Sequence, residues 1–148
     1  MVSDVSIPDK GSSTFTIPKV GGKRHHFKNL ICWQKASQVR KLIYQISRTL
    51  PEIEKFGLAK QMRSAAISIT ANIAEGYGRF HYQENIQFCR QSRASLYECE
   101  DHLITCQEEG YITREQFDEV LELIITARKV LDGYINFLQR ELAKYKDK

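Results

Sequence analysis

The chain has 148 residues, of which 42% are hydrophobic and 27% charged. That suits one soluble domain able to bury about two-thirds of its unfolded surface. No apolar run approaches the roughly 20 residues of a membrane span, and the N-terminus, with Asp4 and Asp9, lacks the continuous apolar segment of a secretory signal. The net charge of +4 is unevenly spread: residues 28–93 carry a balance of +7, residues 94–148 a balance of −5, and the preceding tail +2. A basic first half and an acidic second half suit either attraction of a polyanion or head-to-tail pairing of subunits.

Residues 1–26 combine Pro8 and Pro18 with Gly11-Ser12-Ser13 and Gly21-Gly22 and end in Lys23-Arg24-His25-His26. They are expected to form a flexible tail. The first helix is expected from about Asn29 to Leu50, where Trp33, Ala36, Val39, Ile43, Ile46 and Leu50 recur at three- and four-residue steps before Pro51 stops it. The second runs from about Phe56 to Tyr77, with Leu58, Met62, Ala65, Ile69 and Ile73 inward. Its Ala- and Ser-rich middle permits close approach of a neighbour, and Gly76 and Gly78 are expected to close it in the left-handed cap conformation.

The third helix covers about Tyr82 to Glu109, with Ile86, Cys89, Leu96, Cys99, Leu103 and Cys106 inward, and ends at Gly110. Thr113-Arg114-Glu115-Gln116 is a capping box opening a fourth helix that continues to about Leu142 through Phe117, Val120, Leu121, Ile124, Leu131, Ile135 and Leu138. Four long helices with short connections predict an all-α antiparallel up-down four-helix bundle over residues 27–143, with a C-terminal tail at 144–148. Cys32, Cys89, Cys99 and Cys106 form no CxxC pair and read as reduced, packed thiols of a cytoplasmic protein. Leu123, Ile125 and Tyr134 lie off the main seam of the fourth helix, a surplus of apolar surface that predicts self-association or burial under the N-terminal tail or helix ends.

Asn72 and Glu75 are the most unusual residues, two groups costly to bury among small and apolar neighbours near a helix C-terminus. The expectation is a structural polar network joining Asn72 and Glu75 to Ser92 or Ser95, Glu98, and Arg63 or Arg93. The competing functional reading makes Glu75 and Glu98 a metal or acid–base site.

The segments Trp33-Gln34-Lys35-Ala36, Gln61 to Ile69, Asn72-Ile73-Ala74-Glu75-Gly76 and Ser92 to Glu98 occur in that order. Together they resemble the bacterial four-helix-bundle family named for proteins encoded in intervening sequences of large-subunit ribosomal RNA genes. The resemblance covers roughly Phe27 to Arg140. It implies a relation to the accessory variability determinant of diversity-generating retroelements, hence RNA, DNA or a reverse transcriptase as partner, and a cyclic homo-oligomer, with a pentamer favoured.

Catalytic and cofactor signatures are lacking. Carboxylate-bridged metal sites in bundles use paired Glu-x-x-His motifs, whereas Glu98 and His102 stand alone at i and i+4, and no GxGxxG, phosphate loop or nucleophile elbow is present. No enzyme activity, metal or cofactor is expected. The cations that remain are Lys35, Arg40, Lys41 and Arg48 on the first helix, Lys60 on the second, and Arg79 and Arg90 around the turn into the third. Tyr77, Phe80 and Tyr82 interleave with Arg79, a mixture able to stack on bases while cations hold phosphates. The sequence thus predicts an oligomeric, non-enzymatic nucleic-acid-binding protein that contacts mainly the phosphate backbone. The alternative is a purely structural oligomerisation module.

Overall fold

The structure, a computed structural model, describes residues 26–147; the expected N-terminal tail otherwise lies outside them. Four helices run as α1 (Ile31–Thr49), α2 (Leu58–Tyr77), α3 (Tyr82–Glu108) and α4 (Arg114–Lys146), with single 3-10 turns at Phe27–Asn29 and Glu52–Glu54. Each helix packs on the next in the chain, and α4 closes back onto α1. Arg40 of α1 reaches Thr70 of α2, and Ser95 of α3 reaches Ser68 of α2; the antiparallel register shows between α3 and α4, where Arg93 meets Asp132 and Glu100, further along α3, meets Arg128, earlier in α4.

The inward stripes are those of the apolar periodicity. Val39, Ile43, Met62, Ile69, Ile73, Leu96, Leu103, Ile124, Leu131 and Leu138 are fully buried, each contributing about 1.5–3 kcal/mol by leaving water. Tyr134 corrects the expectation that it lies off the seam. It is 0% exposed, in helical step with Ala127, Leu131 and Leu138, and its hydroxyl accepts a 3.2 Å hydrogen bond from Asn85 Nδ2. Leu123 packs half-buried against the core, leaving Ile125 as the exposed member of that trio.

The helix ends have local causes. Leu50, before Pro51, is extended (ψ 153), as a residue preceding proline is driven to be. At the end of α3, Gly110 takes φ 77. There the Tyr111 N–H bonds to Cys106 O at 2.8 Å and the Gly110 N–H to Gln107 O at 3.1 Å, which is a Schellman ending. The Thr113–Gln116 capping box forms in both directions, at 3.1 and 2.8 Å. Between α1 and α2, Glu54 accepts from the Leu58 N–H at 3.1 Å and from the Tyr111 hydroxyl at 2.9 Å. One carboxylate thereby caps α2 and ties two turns together at the same end of the bundle.

Two expectations about helix ends are corrected. Neither Gly76 nor Gly78 takes a left-handed cap: Gly78 has φ −79, and Gly76 lies within α2. Gly76 is required for proximity instead, since a Cβ there would sit 2.7 Å from Asn85 Oδ1 and 2.9 Å from Phe88 Cβ. At the other terminus, α4 continues through residues 144–146 rather than ending near Leu142. A 3.0 Å Lys144–Glu141 ion pair and the Tyr145 ring set edge-on to Tyr82 support the extra turn.

Candidate nucleic-acid interface

The polar residues of α2 separate into two sets. Asn72 Nδ2 donates to Ser68 O and to Ser68 Oγ, both at 2.9 Å, and Ser95 Oγ lies 2.8 Å from Ser68 Oγ. Ser92 donates to Ile69 O at 2.7 Å. The α2–α3 seam is therefore stitched by the hydroxyls of Ser92, Ser95 and Ser68, with the Asn72 amide holding Ser68 from within α2. Glu75 does not join it. Its carboxylate is exposed and ion-paired with Arg79 at 3.0 Å, because Glu75 continues the outward stripe of Lys60, Ser64, Ile67 and Ala71. A three-residue step turns the helix by about 60° from Asn72, enough to cross from seam to surface.

The other expected members are also elsewhere. Arg93 reaches across to Asp132 on α4 at 2.7 Å. Glu98 is exposed and approaches His102 Nε2 at 3.4 Å. Arg63 is half-buried and makes no hydrogen bond or ion pair among the described residues. Glu75 and Glu98 are thus not brought together, and no group of three or more possible metal ligands occurs among the described residues. The four cysteines are buried and free, and loss of hydration pushes the Cys89 and Cys99 thiols up to about 12.

On the other side of α2, its outward stripe and the outward face of α1 bound an open groove of about 560 Å³, lined by Arg40, Lys41, Tyr44, Arg48, Ile67 and Thr70, with Gln45 and Ala71. No carboxylate is among these residues. Helix α1 as a whole carries four cations and no acidic residue. Arg40 is held in place by neutral partners: Nη1 donates to Thr70 Oγ1 at 2.9 Å, Nη2 to Ser37 Oγ at 3.3 Å, and the guanidinium sits 5.8 Å from the Trp33 ring centre. Arg48 lies over Tyr44 at 5.9 Å. None of Arg40, Lys41 and Arg48 is ion-paired among the described residues, so their charge is open to an anion.

Of the seven sequence candidates, the structure gathers these three. Lys35 lies half-buried in the second turn of α1, Lys60 is exposed in the first turn of α2, and Arg90 is exposed on α3. Arg79 is spent on Glu75 and on the Phe88 ring, 4.9 Å away. The aromatic residues at the α2–α3 turn do not form one surface with Arg79. Phe80 is exposed, Tyr82 packs on Tyr145, and Tyr77 is set against Phe27 with its hydroxyl buried and without a hydrogen-bond partner among the described residues. The aromatic ring among the cations is Tyr44. Its signal was present in the sequence, four residues from both Arg40 and Arg48; Ile67 and Thr70 come from a different helix and had none.

Residues 28–133 match the family model of the 23S rRNA-intervening sequence protein. The chain belongs to that family. The match takes in α1 to α3 and most of α4, and so the whole groove. A crystal structure described as that of a protein with unknown function from the S23 ribosomal protein family of Bacteroides thetaiotaomicron is similar in fold. The similarity covers 72% of this chain and 96% of that one, at 24% identity and a TM-score of 0.67. No curated protein matches the chain. Among the described residues no helix is long and apolar enough to cross a membrane.

Proposed function

We propose that this intervening-sequence family member is a non-enzymatic protein that binds nucleic acid through the groove between α1 and α2. The observation that carries this reading is the lining: three cations converge there, with no carboxylate among the lining residues. Phosphates would be held by Arg40, Lys41 and Arg48 with little sequence preference. The resemblance to accessory variability determinants makes a complex of RNA with a reverse transcriptase the first partner to test, and a ring of subunits would add such weak contacts by multivalency. The test is retention of labelled RNA and DNA on filters over a salt series. Three phosphate contacts should give a slope of log affinity against log salt of about −2 to −3. Lys41→Glu with Arg48→Glu should abolish retention while helicity and subunit number stay unchanged. A flat salt response, or retention untouched by the double variant, would overturn the proposal.

A second reading is a structural oligomerisation module. It is favoured by Tyr97, Ile104 and Ile125, exposed on α3 and α4, and by the five carboxylates of α3 against Arg90 and Arg93. An acidic, partly apolar face of one subunit would then cover the basic groove of the next. In that case the same double variant lowers the mass of the assembly by light scattering, and the parent protein retains no nucleic acid.

A further inference from the structure

We infer that the groove takes single-stranded nucleic acid, holding successive phosphates on the cations and one base against Tyr44 and Ile67. This rests on the reading of the groove as a nucleic-acid site and specifies its ligand. A surface that met only the backbone of a duplex would need cations and nothing apolar between them. Here Ile67 stands 49% exposed in the same groove as Arg40, Lys41 and Arg48, with Ala71 beside it one turn along α2. A duplex keeps its base faces stacked inside and could not cover that apolar strip; an unstacked base can.

The platform is already assembled. The Arg48 guanidinium, 5.9 Å from the centre of the Tyr44 ring, sets a cation beside an aromatic ring, the combination on which bases stack irrespective of sequence. Arg40, fixed through Thr70 and Ser37 and lying 5.8 Å from the Trp33 ring centre, loses little side-chain freedom on meeting a phosphate. Lys41 and Arg48 are about 10 Å apart along the α1 axis, at 1.5 Å per residue, so one strand following the groove passes both. The volume of about 560 Å³ falls within the roughly 300–1,000 Å³ of clefts that enclose a small ligand.

The experiment measures fluorescence anisotropy with the full chain at low salt and three probes. These are a labelled mixed-sequence strand, the duplex formed from it, and the same strand carrying abasic sites, which keeps every phosphate and loses bases. The expected order places the intact strand about tenfold tighter than the duplex and at least fivefold tighter than the abasic strand, since stacking on an aromatic is worth about 1–3 kcal/mol per base. Tyr44→Ala should erase both preferences without altering the salt slope, and Tyr44→Phe should restore them. Ile67→Asn, neutral and at an exposed position, should give the same loss should Tyr44→Ala fail to fold. Equal binding of strand and duplex, or of intact and abasic strands, would overturn this inference and leave backbone binding in place. No binding of any probe would remove both.

Discussion

Gly76 on α2 lies directly against Asn85 on α3, so close that a methyl group on Gly76 would be 2.7 Å from Asn85 Oδ1 and 3.1 Å from its backbone oxygen. Asn85 cannot turn aside freely, because its Nδ2 donates to the buried Tyr134 hydroxyl on α4. One missing Cβ therefore lets α2 and α3 approach and lets α3 reach α4. Gly76→Ala should cost about 1–3 kcal/mol through overpacking, although alanine is the better helix former. The check is the midpoint of urea unfolding. An unchanged or raised midpoint would show that the seam yields.

The hydroxyl seam and the surface carboxylate should respond differently. Ser95→Ala removes a partner of Ser68 at a buried position and should cost about 1 kcal/mol. Glu75→Gln breaks a solvent-exposed pair with Arg79 and should cost less than about 0.5 kcal/mol. Equilibrium unfolding of both variants decides it: a larger loss for Glu75→Gln would return that carboxylate to a structural role.

Arg128 offers a contrast between two ion pairs joining α3 and α4. Its guanidinium meets Glu100 at 2.6 Å and covers the Tyr97 ring at 4.1 Å, with 15% of the side chain exposed. Arg93 and Asp132 pair at 2.7 Å but are 37% and 49% exposed. Arg128→Ala leaves Glu100 partly buried and unpaired and strips packing from Tyr97, for a loss of about 2 kcal/mol or more. Arg93→Ala should lose about 1 kcal/mol or less. Thermal midpoints of the two variants should separate accordingly.

Alkaline pH should unfold the protein through its thiols. Burial raises Cys89 and Cys99 from the ordinary 9.0 to about 12, so the fold favours their protonated form. Their contribution to stability is complete below pH 9 and is lost as pH rises toward 12, where the unfolded chain has already released those protons. Each group lowers the unfolding free energy by about 1.4 kcal/mol per pH unit in that window. Urea unfolding over a pH series measures the slope, and Cys89→Ala with Cys99→Ala should reduce it, leaving the part due to Cys32 and Cys106, which burial also raises. In the native state at neutral pH, all four thiols should resist a thiol reagent that labels them fully in urea.

The amino-acid sequence by itself determined the bundle. Apolar spacing along each helix, Pro51, Gly110 and the Thr113–Gln116 box are local signals, and the inward stripes they predict are the buried ones, because a helix carries its face in its own periodicity. Only the tertiary structure decided the roles of residues standing at a face boundary or facing another helix. Asn72 and Glu75 are three residues apart, yet one joins the α2–α3 seam and the other meets solvent, since about 60° of rotation separates them and only the neighbour's position shows where burial ends. Gly76 reads as a cap until Asn85 and Phe88 are seen against it. The groove is likewise a property of two helices: Arg40, Lys41, Tyr44 and Arg48 become a site only when antiparallel packing brings Ile67 and Thr70 beside them, a distance in space that no spacing along the chain encodes.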